Sequence, residues 1–141
     1  MGFTCKRRWV KDGHLPEDPV VSNFAGVFSC ESVRIVFAYA ALKGLEVCAA
    51  DNKSAYLQAP ASENYYVIYG KEFPLEYRGC CAIINRSLYG GKNAGVDYWK
   101  HMRSCMNHLR FAPYKVDPDV WMRQANIIVT GVTTASISYY T

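Results

Sequence analysis

The spacing of apolar and polar residues predicts a helix over residues 29–42. Ser29 can cap the first turn and Gly44 follows as a stop signal. The apolar residues at helical spacing are Val33, Val36, Phe37, Ala40 and Ala41. Most of the other positions in the segment are apolar as well. We therefore expect the helix to be covered on most sides, by a sheet and by a neighbouring helix.

A second helix is predicted over residues 93–110, between the turn at Gly90 and the residue Pro113. One face of this helix carries four large apolar residues, which are Trp99, Met102, Met106 and Leu109. Such a stripe is typical of a helix that packs one side on a core.

Short runs of apolar, β-branched and aromatic residues indicate strands. These runs lie at residues 45–50, 64–69, 80–84, 119–123 and 127–140. The long connection at residues 70–79, between the second and third runs, suggests an antiparallel pair. Residues 11–25 contain Gly13, Pro16 and Pro19, and we expect an extended loop there.

The composition is that of a folded chain with room for one domain. Of its 141 residues, 50% are apolar and 20% charged, so a core is possible and wholesale disorder is not expected. The net charge of +4 permits contact with phosphates without demonstrating it. The six cysteines contain no C-x-x-C pair, and neither a secretory signal nor a long apolar run is present. We expect reduced thiols and an intracellular chain, in the cytoplasm or nucleus, with no membrane segment.

Asp51 ends an apolar strand abruptly. A carboxylate in that position can bind a divalent metal, although an aspartate there can equally serve as a cap or a turn residue. Tyr56 follows five residues later and would place an aromatic ring near any nucleotide that such a metal holds.

Two further groups of residues could contact phosphate. Residues 87–99 include a glycine turn that carries Lys92 and opens the second helix, which suits a phosphate or template contact but also a plain strand-to-helix turn. A basic group near the N-terminus includes Lys6 and Arg8, and the alternative for this group is a solvated tail.

Two other clusters are interpreted as structural. Asp117 and Asp119 are expected to serve a turn and a solvated strand face rather than to bind metal. His101, Cys105 and His108 share a helix face, but no fourth ligand is evident. We therefore expect ordinary helix packing there rather than a zinc site.

Taken together, these segments resemble one known family. Residues 6–14, 29–60, 84–99 and 109–123 are similar, in this order, to the reverse transcriptase of copia-type long-terminal-repeat retrotransposons. The most specific matches are AADNKSAYLQAP, the SLYG-x-K turn with Trp99 downstream of it, and DPDVWM.

The resemblance implies RNA-directed DNA synthesis, in which a DNA primer on an RNA template attacks a deoxynucleoside triphosphate with the help of two Mg²⁺ ions. Asp51 would be the first catalytic, metal-binding aspartate, and the ring of Tyr56 would exclude a ribose 2′-hydroxyl. Lys6 and Arg8 match the segment that approaches the triphosphate. The turn beside the nascent base pair and the template and primer strands is matched by Tyr89, Gly90 and Lys92.

The fold that the resemblance implies is α+β. It comprises part of the fingers and palm of a right-hand polymerase, with a mixed or antiparallel sheet backed by the two helices. Residues 1–123 would form this polymerase-like part, and residues 124–141 would be a divergent C-terminal tail that contains no acidic residue.

The family's other metal ligands come from a hairpin with the pattern Y-x-D-D, but this sequence contains no Asp-Asp pair. One aspartate cannot hold two Mg²⁺ ions. We therefore expect a polymerase by ancestry that is inactive, truncated before that hairpin and without the rest of the retrotransposon polyprotein. Gly91, Gly95 and Asp97 depart from the family pattern, so the resemblance supports a template contact at this turn less strongly. The alternatives are a non-catalytic nucleic-acid-binding or inert remnant of a mobile element and a small soluble domain unrelated to polymerases.

Overall fold

The structure of the protein, a computed structural model, describes Val10 and residues 25–26, 29–123, 126–129 and 136–140. The helices in this part of the chain are α1 (Cys30–Lys43), α2 (Ala55–Gln58) and α3 (Ala94–His108). The strands are β1 (Glu46–Ala50), β2 (Pro60–Ile68), β3 (Cys81–Arg86), β4 (Ala112–Pro113), β5 (Val120–Arg123), β6 (Asn126–Val129) and β7 (Ser136–Tyr140). The predicted loop at residues 11–25 lies outside the described residues except for Ala25. None of the described helices has the length and apolarity needed to cross a membrane.

The strands form two sheets. Five of them make one sheet in the order β1-β7-β6-β5-β4, while β2 and β3 pair separately. All of these pairings are antiparallel. The predicted α+β class and the antiparallel pair with a long connection are thereby confirmed. The division of the chain at residue 123 stays a prediction.

Local signals begin and end α1 close to where the sequence predicts. The hydroxyl of Ser29 accepts a hydrogen bond from the N–H of Ser32 at 3.0 Å, which satisfies one of the free donors of the first turn. Gly44 ends the helix with φ at 63°, a left-handed conformation that glycine adopts without a steric cost.

The packing of α1 differs from the prediction. Its buried residues are Val36 and Ala40, which pack against Val120 and Ile127 of the five-stranded sheet. The apolar side chains on its other sides are exposed, namely those of Ile35, Phe37, Tyr39 and Leu42. The expectation that α1 is covered on most sides is wrong, because the described residues place a packing surface on one side of it.

The apolar stripe of α3 packs as predicted over most of its length. Met106 is buried in a cluster with Phe111 and Trp121, and Met102 packs against the same cluster. Leu109 is 49% exposed, because α3 ends at His108 and this residue lies beyond the packed face.

Candidate functional site

Asp51 directly follows β1, where the chain leaves the five-stranded sheet. Its side chain is exposed. The chain turns through residues 52–54, with Ser54 in the left-handed conformation at φ 54°, and begins α2 at Ala55. Because Ser54 occupies the N-cap position of α2, Asp51 does not cap this helix. Its carboxylate is accessible to a hydrated cation.

Three tyrosine rings connect the segment after Asp51 to the glycine turn. The ring centroid of Tyr56, in α2, lies 5.0 Å from that of Tyr89 and 5.9 Å from that of Tyr98. The Nδ2 of Asn52 donates a hydrogen bond to Oη of Tyr98 at 2.6 Å. The structure thus brings together Tyr56 and Tyr89, which the sequence analysis selected from two distant segments. We refer to Tyr56, Tyr89 and Tyr98 as the tyrosine cluster.

The negative charge of Asp51 acts on Tyr98 of this cluster. Burial raises the pKa of Tyr98, the hydrogen bond from Asn52 opposes the increase, and the negative charge of Asp51 adds to it. Tyr98 therefore keeps its proton at neutral pH. Its hydroxyl accepts the hydrogen bond that holds Asn52, the residue directly after Asp51.

The glycine turn, residues 87–92, leads from β3 towards α3. Gly90 has φ at 84°, a value that residues with a side chain rarely adopt. The N–H of Gly91 donates to the carbonyl of Leu88 at 3.1 Å and closes the turn. Tyr89 and Lys92 are half-buried. Gly90 and Lys92 therefore belong to the same turn whose Tyr89 contacts Tyr56.

Asp97 reaches the start of the glycine turn from the first turn of α3. Its carboxylate is buried, and Oδ2 accepts hydrogen bonds from Oγ of Ser87 at 2.6 Å and from the N–H of Ser62 at 3.2 Å. The N–H of Ser87 in turn donates to the carbonyl of Ala59. Asp97 therefore faces protein donors and not solvent.

The strand next to β1 brings no second carboxylate to the sheet end at which Asp51 lies. β7 runs antiparallel to β1, with Ala50 opposite Ser136. The chain that enters β7 is therefore at the same end of the sheet as Asp51. No acidic residue follows Asp119 in the sequence, so β6, β7 and the residues between them contain none.

The residues that the structure describes do not fit a pair of Mg²⁺ ions. Among the described residues, no group of three or more His, Cys, Asp or Glu side chains could hold a metal ion. In α3, Sγ of Cys105 lies 3.8 Å from Nε2 of His101, and His108 is exposed. A two-metal site requires several carboxylates, and Asp51 supplies one.

The carboxylate of Asp119 is buried, and its Oδ1 accepts a hydrogen bond from Nε1 of Trp99 at 2.8 Å. Burial raises the pKa of Asp119, against the effect of this hydrogen bond. The expectation that this strand position is solvated is wrong, because the side chain of Asp119 is directed towards α3 and not towards solvent.

Asp117 is bound to the beginning of α1. It accepts hydrogen bonds from the N–H of Ser29 at 3.3 Å and from the N–H of Asp119 at 3.0 Å. Burial by itself would raise the pKa of Asp117, but these bonds and one from the hydroxyl of Ser32 lower it. Asp117 therefore holds α1 near the start of β5 rather than acting only as a turn residue.

Some predicted residues cannot be placed, and some important ones were not predicted. Lys6 and Arg8 lie outside the described residues, so their role stays a prediction. Sequence reasoning did not select Asn52 or Tyr98 for the site. The sequence signal that could have indicated them is position, since Asn52 follows Asp51 directly and Tyr98 lies on α3 one turn after the glycine turn.

Comparison with known proteins gives one match. The family model described as reverse transcriptase (RNA-dependent DNA polymerase) matches residues 4–137, which is most of the chain. No curated protein and no solved structure matches it.

Proposed function

The chain belongs to the reverse transcriptase family, and we propose that it is a fingers and palm part of a copia-type enzyme that binds nucleic acid but does not add nucleotides by itself. The observation that carries this proposal is the sheet end at Asp51. The strand paired with β1 there belongs to a segment without any acidic residue.

The chemistry of the family explains why this observation matters. In nucleotide addition, two Mg²⁺ ions about 3.5 to 4 Å apart stabilise the attacking primer oxygen and the leaving phosphate oxygen. Cations that close together need several carboxylates to neutralise and space them. Asp51 provides one, and the described residues contain no metal-binding group of three. The described residues therefore lack the ligand set for the reaction.

The residues around the tyrosine cluster suit binding. Tyr56 would lie under the sugar of an incoming nucleotide, where its ring would crowd a ribose 2′-hydroxyl and so favour deoxynucleotides by repulsion. Gly90 would let the backbone approach the template and primer strands closely, and Lys92 would provide a positive charge for a phosphate. The contact between Tyr56 and Tyr89 supports this proposal, because it joins the nucleotide side of the site to the template side.

A primer-extension assay on an RNA template, with Mg²⁺ or Mn²⁺, tests the proposal. We expect the chain to bind the template and primer in a salt-sensitive way and to incorporate no nucleotide. Incorporation would contradict the proposed loss of activity if Asp51→Ala abolished it and Glu46→Ala did not. Glu46 is the matched control, because it is an exposed carboxylate at the other end of β1.

The binding measurement separates the proposal from its alternative. A chain that binds neither RNA nor the RNA–DNA duplex, even at low salt, would be an inert remnant of a mobile element. Binding that does not weaken with added salt would also contradict phosphate contacts as its basis.

A further inference from the structure

We propose that Asp97 is a positioning residue for nucleic-acid binding, because it holds the glycine turn in the conformation that presents Tyr89, Gly90 and Lys92. This inference rests on the proposed function, since that function makes the turn a binding element. Asp97 itself is buried and would not touch the nucleic acid.

The burial of the Asp97 carboxylate indicates that its hydrogen bonds maintain the local structure. Asp97 is 6% exposed and Ser87 is 4% exposed. A carboxylate is rarely buried to this degree unless hydrogen bonds compensate for the lost water. Here a single oxygen, Oδ2, receives hydrogen bonds from two donors. The position in the first turn of α3 also suits a negative charge, because the helix dipole is positive there.

The three groups that meet at Asp97 come from three elements. Ser62 lies in β2, Ser87 follows the last residue of β3, and Asp97 lies in α3. The glycine turn leaves the two-stranded sheet at Ser87 and enters α3 at Ala94. Asp97 therefore ties the first residue of the turn to the helix in which the turn ends. A short loop held at both ends has few alternative conformations.

The tyrosine cluster restrains the middle of the same turn. Tyr89, two residues after Ser87, packs against Tyr56. If the hydrogen bond between Ser87 and Asp97 is lost, the turn keeps this aromatic contact but loses its fixed base. We expect Lys92 to be displaced relative to the tyrosine cluster as a result.

The chain offers a matched control for this inference. Asp119 is a carboxylate buried at least as deeply, and its Oδ1 accepts a hydrogen bond from the indole of Trp99 on α3. Its hydrogen bond with Trp99 does not involve the glycine turn. Removal of either carboxylate should lower stability, whereas only the loss of Asp97 should change the turn.

Two measurements on the full chain test the inference. The first is hydrogen–deuterium exchange of the backbone amides in residues 88–94. The second is binding of a DNA primer annealed to an RNA template, at several salt concentrations. The variants are Asp97→Ala, Asp97→Asn, Lys92→Ala, the double variant Asp97→Ala with Lys92→Ala, and the control Asp119→Ala.

We expect Asp97→Ala to speed exchange in the turn and to weaken binding by about tenfold, whereas Asp119→Ala does neither. Asp97→Asn should restore binding to within about threefold of the wild type, because its amide oxygen can still accept from Ser87. The double variant should lose less affinity than the two single losses combined, because Asp97 acts in part through the contact that Lys92 makes.

Three other outcomes would overturn the inference or the proposed function. Unchanged exchange of residues 88–94 in Asp97→Ala would overturn the inference, and so would losses of binding that add in the double variant. If Asp97→Ala does not fold, Ser87→Ala takes its place with the same expectations, since it removes one donor hydroxyl. A wild-type chain that binds no nucleic acid would overturn the proposed function alone, and the exchange measurement would then decide whether Asp97 holds the turn.

Discussion

The two long helices of this chain differ in how much of their surface is buried against other elements. α1 is apolar on nearly all sides, yet its buried residues are Val36 and Ala40. α3 has the more polar sequence and buries five residues, which are Ala94, Val96, Asp97, Tyr98 and Met106. α3 packs against α2 and β2 and reaches Trp121, whereas α1 packs on one side of the sheet. The number of elements that pack on a helix, and not its apolar content, decides how much of it is buried.

The difference between α1 and α3 also bears on the proposed function. The residues proposed to bind nucleic acid lie on the α3 side, where buried hydrogen bonds and ring contacts hold them. On the α1 side, large apolar side chains face solvent, which favours association between chains. Substitutions matched between the two helices therefore test this contrast.

The largest difference is expected in the cluster below α3. Trp121 is fully buried against Met106 and Phe111, and its Nε1 has no hydrogen-bond partner within the described part of the chain. Trp121→Ala should therefore lower the free energy of unfolding by about 3–5 kcal/mol, through lost packing and the loss of the ring that the guanidinium of Arg103 faces at 5.3 Å. Urea denaturation measures the loss.

The control for this prediction is Ile35→Ala in α1, where the side chain is 67% exposed. It should change the free energy of unfolding by no more than about 0.5 kcal/mol. Equal losses in the two variants would mean that the outer side of α1 is buried in solution, and the contrast between the helices would not hold.

A smaller effect is expected from the hydroxyl of Tyr98. Tyr98→Phe keeps the ring but leaves the amide of Asn52 without its acceptor. We expect a loss of about 1 kcal/mol. Tyr39→Phe on the exposed side of α1 is the matched control and should be close to neutral. A neutral Tyr98→Phe would indicate that water replaces the hydroxyl as the partner of Asn52.

The sequence was sufficient for elements with strong local signals. α1 has a cap, a stop signal and apolar spacing, α3 has a regular apolar stripe, and β2 and β3 each contain a short run of aromatic or β-branched residues. α2 has four residues and β4 has two, so neither is long enough to show a period. The exposed sides of α1 could not be predicted, because they depend on which elements pack there.

The same distinction applies to the candidate site. Asp51, Tyr56 and Tyr89 could be selected from motifs that are local in the sequence. The hydrogen bond between Asp97 and Ser62 depends on how β2 is placed against α3, and no local pattern sets that placement. The burial of Asp119 likewise depends on the distant indole of Trp99.

The pH dependence of stability should distinguish the aspartate at α1 from the one at α3. The pKa of Asp117 is lowered, so its contribution to stability is present above its usual pKa of 3.8 and is lost as the pH falls through its folded value. The pKa of Asp119 is raised, so its contribution is present below 3.8 and is lost as the pH rises through its folded value.

Substitution with asparagine should therefore change the acid limb of the stability curve in opposite directions. Asp117→Asn should flatten the loss of stability in acid. Asp119→Asn should steepen it, because it removes a group whose protonation favours the folded state. Urea midpoints across the acid range measure both slopes. Slopes that change in the same direction would show that one of the two side chains lies in a different environment in solution.

The smallest effect on stability is expected at Leu42, which is 84% exposed at the end of α1. Leu42→Lys should leave the free energy of unfolding within about 0.5 kcal/mol of the wild type. Light scattering should nevertheless show less association, because the substitution replaces an exposed apolar side chain by a charge. Leu75→Lys is the control, since Leu75 is 79% exposed in the connection between β2 and β3, away from α1. Association that falls equally in both variants would reflect the added charge alone, and a clear loss of stability in Leu42→Lys would mean that another part of the molecule covers the outer side of α1.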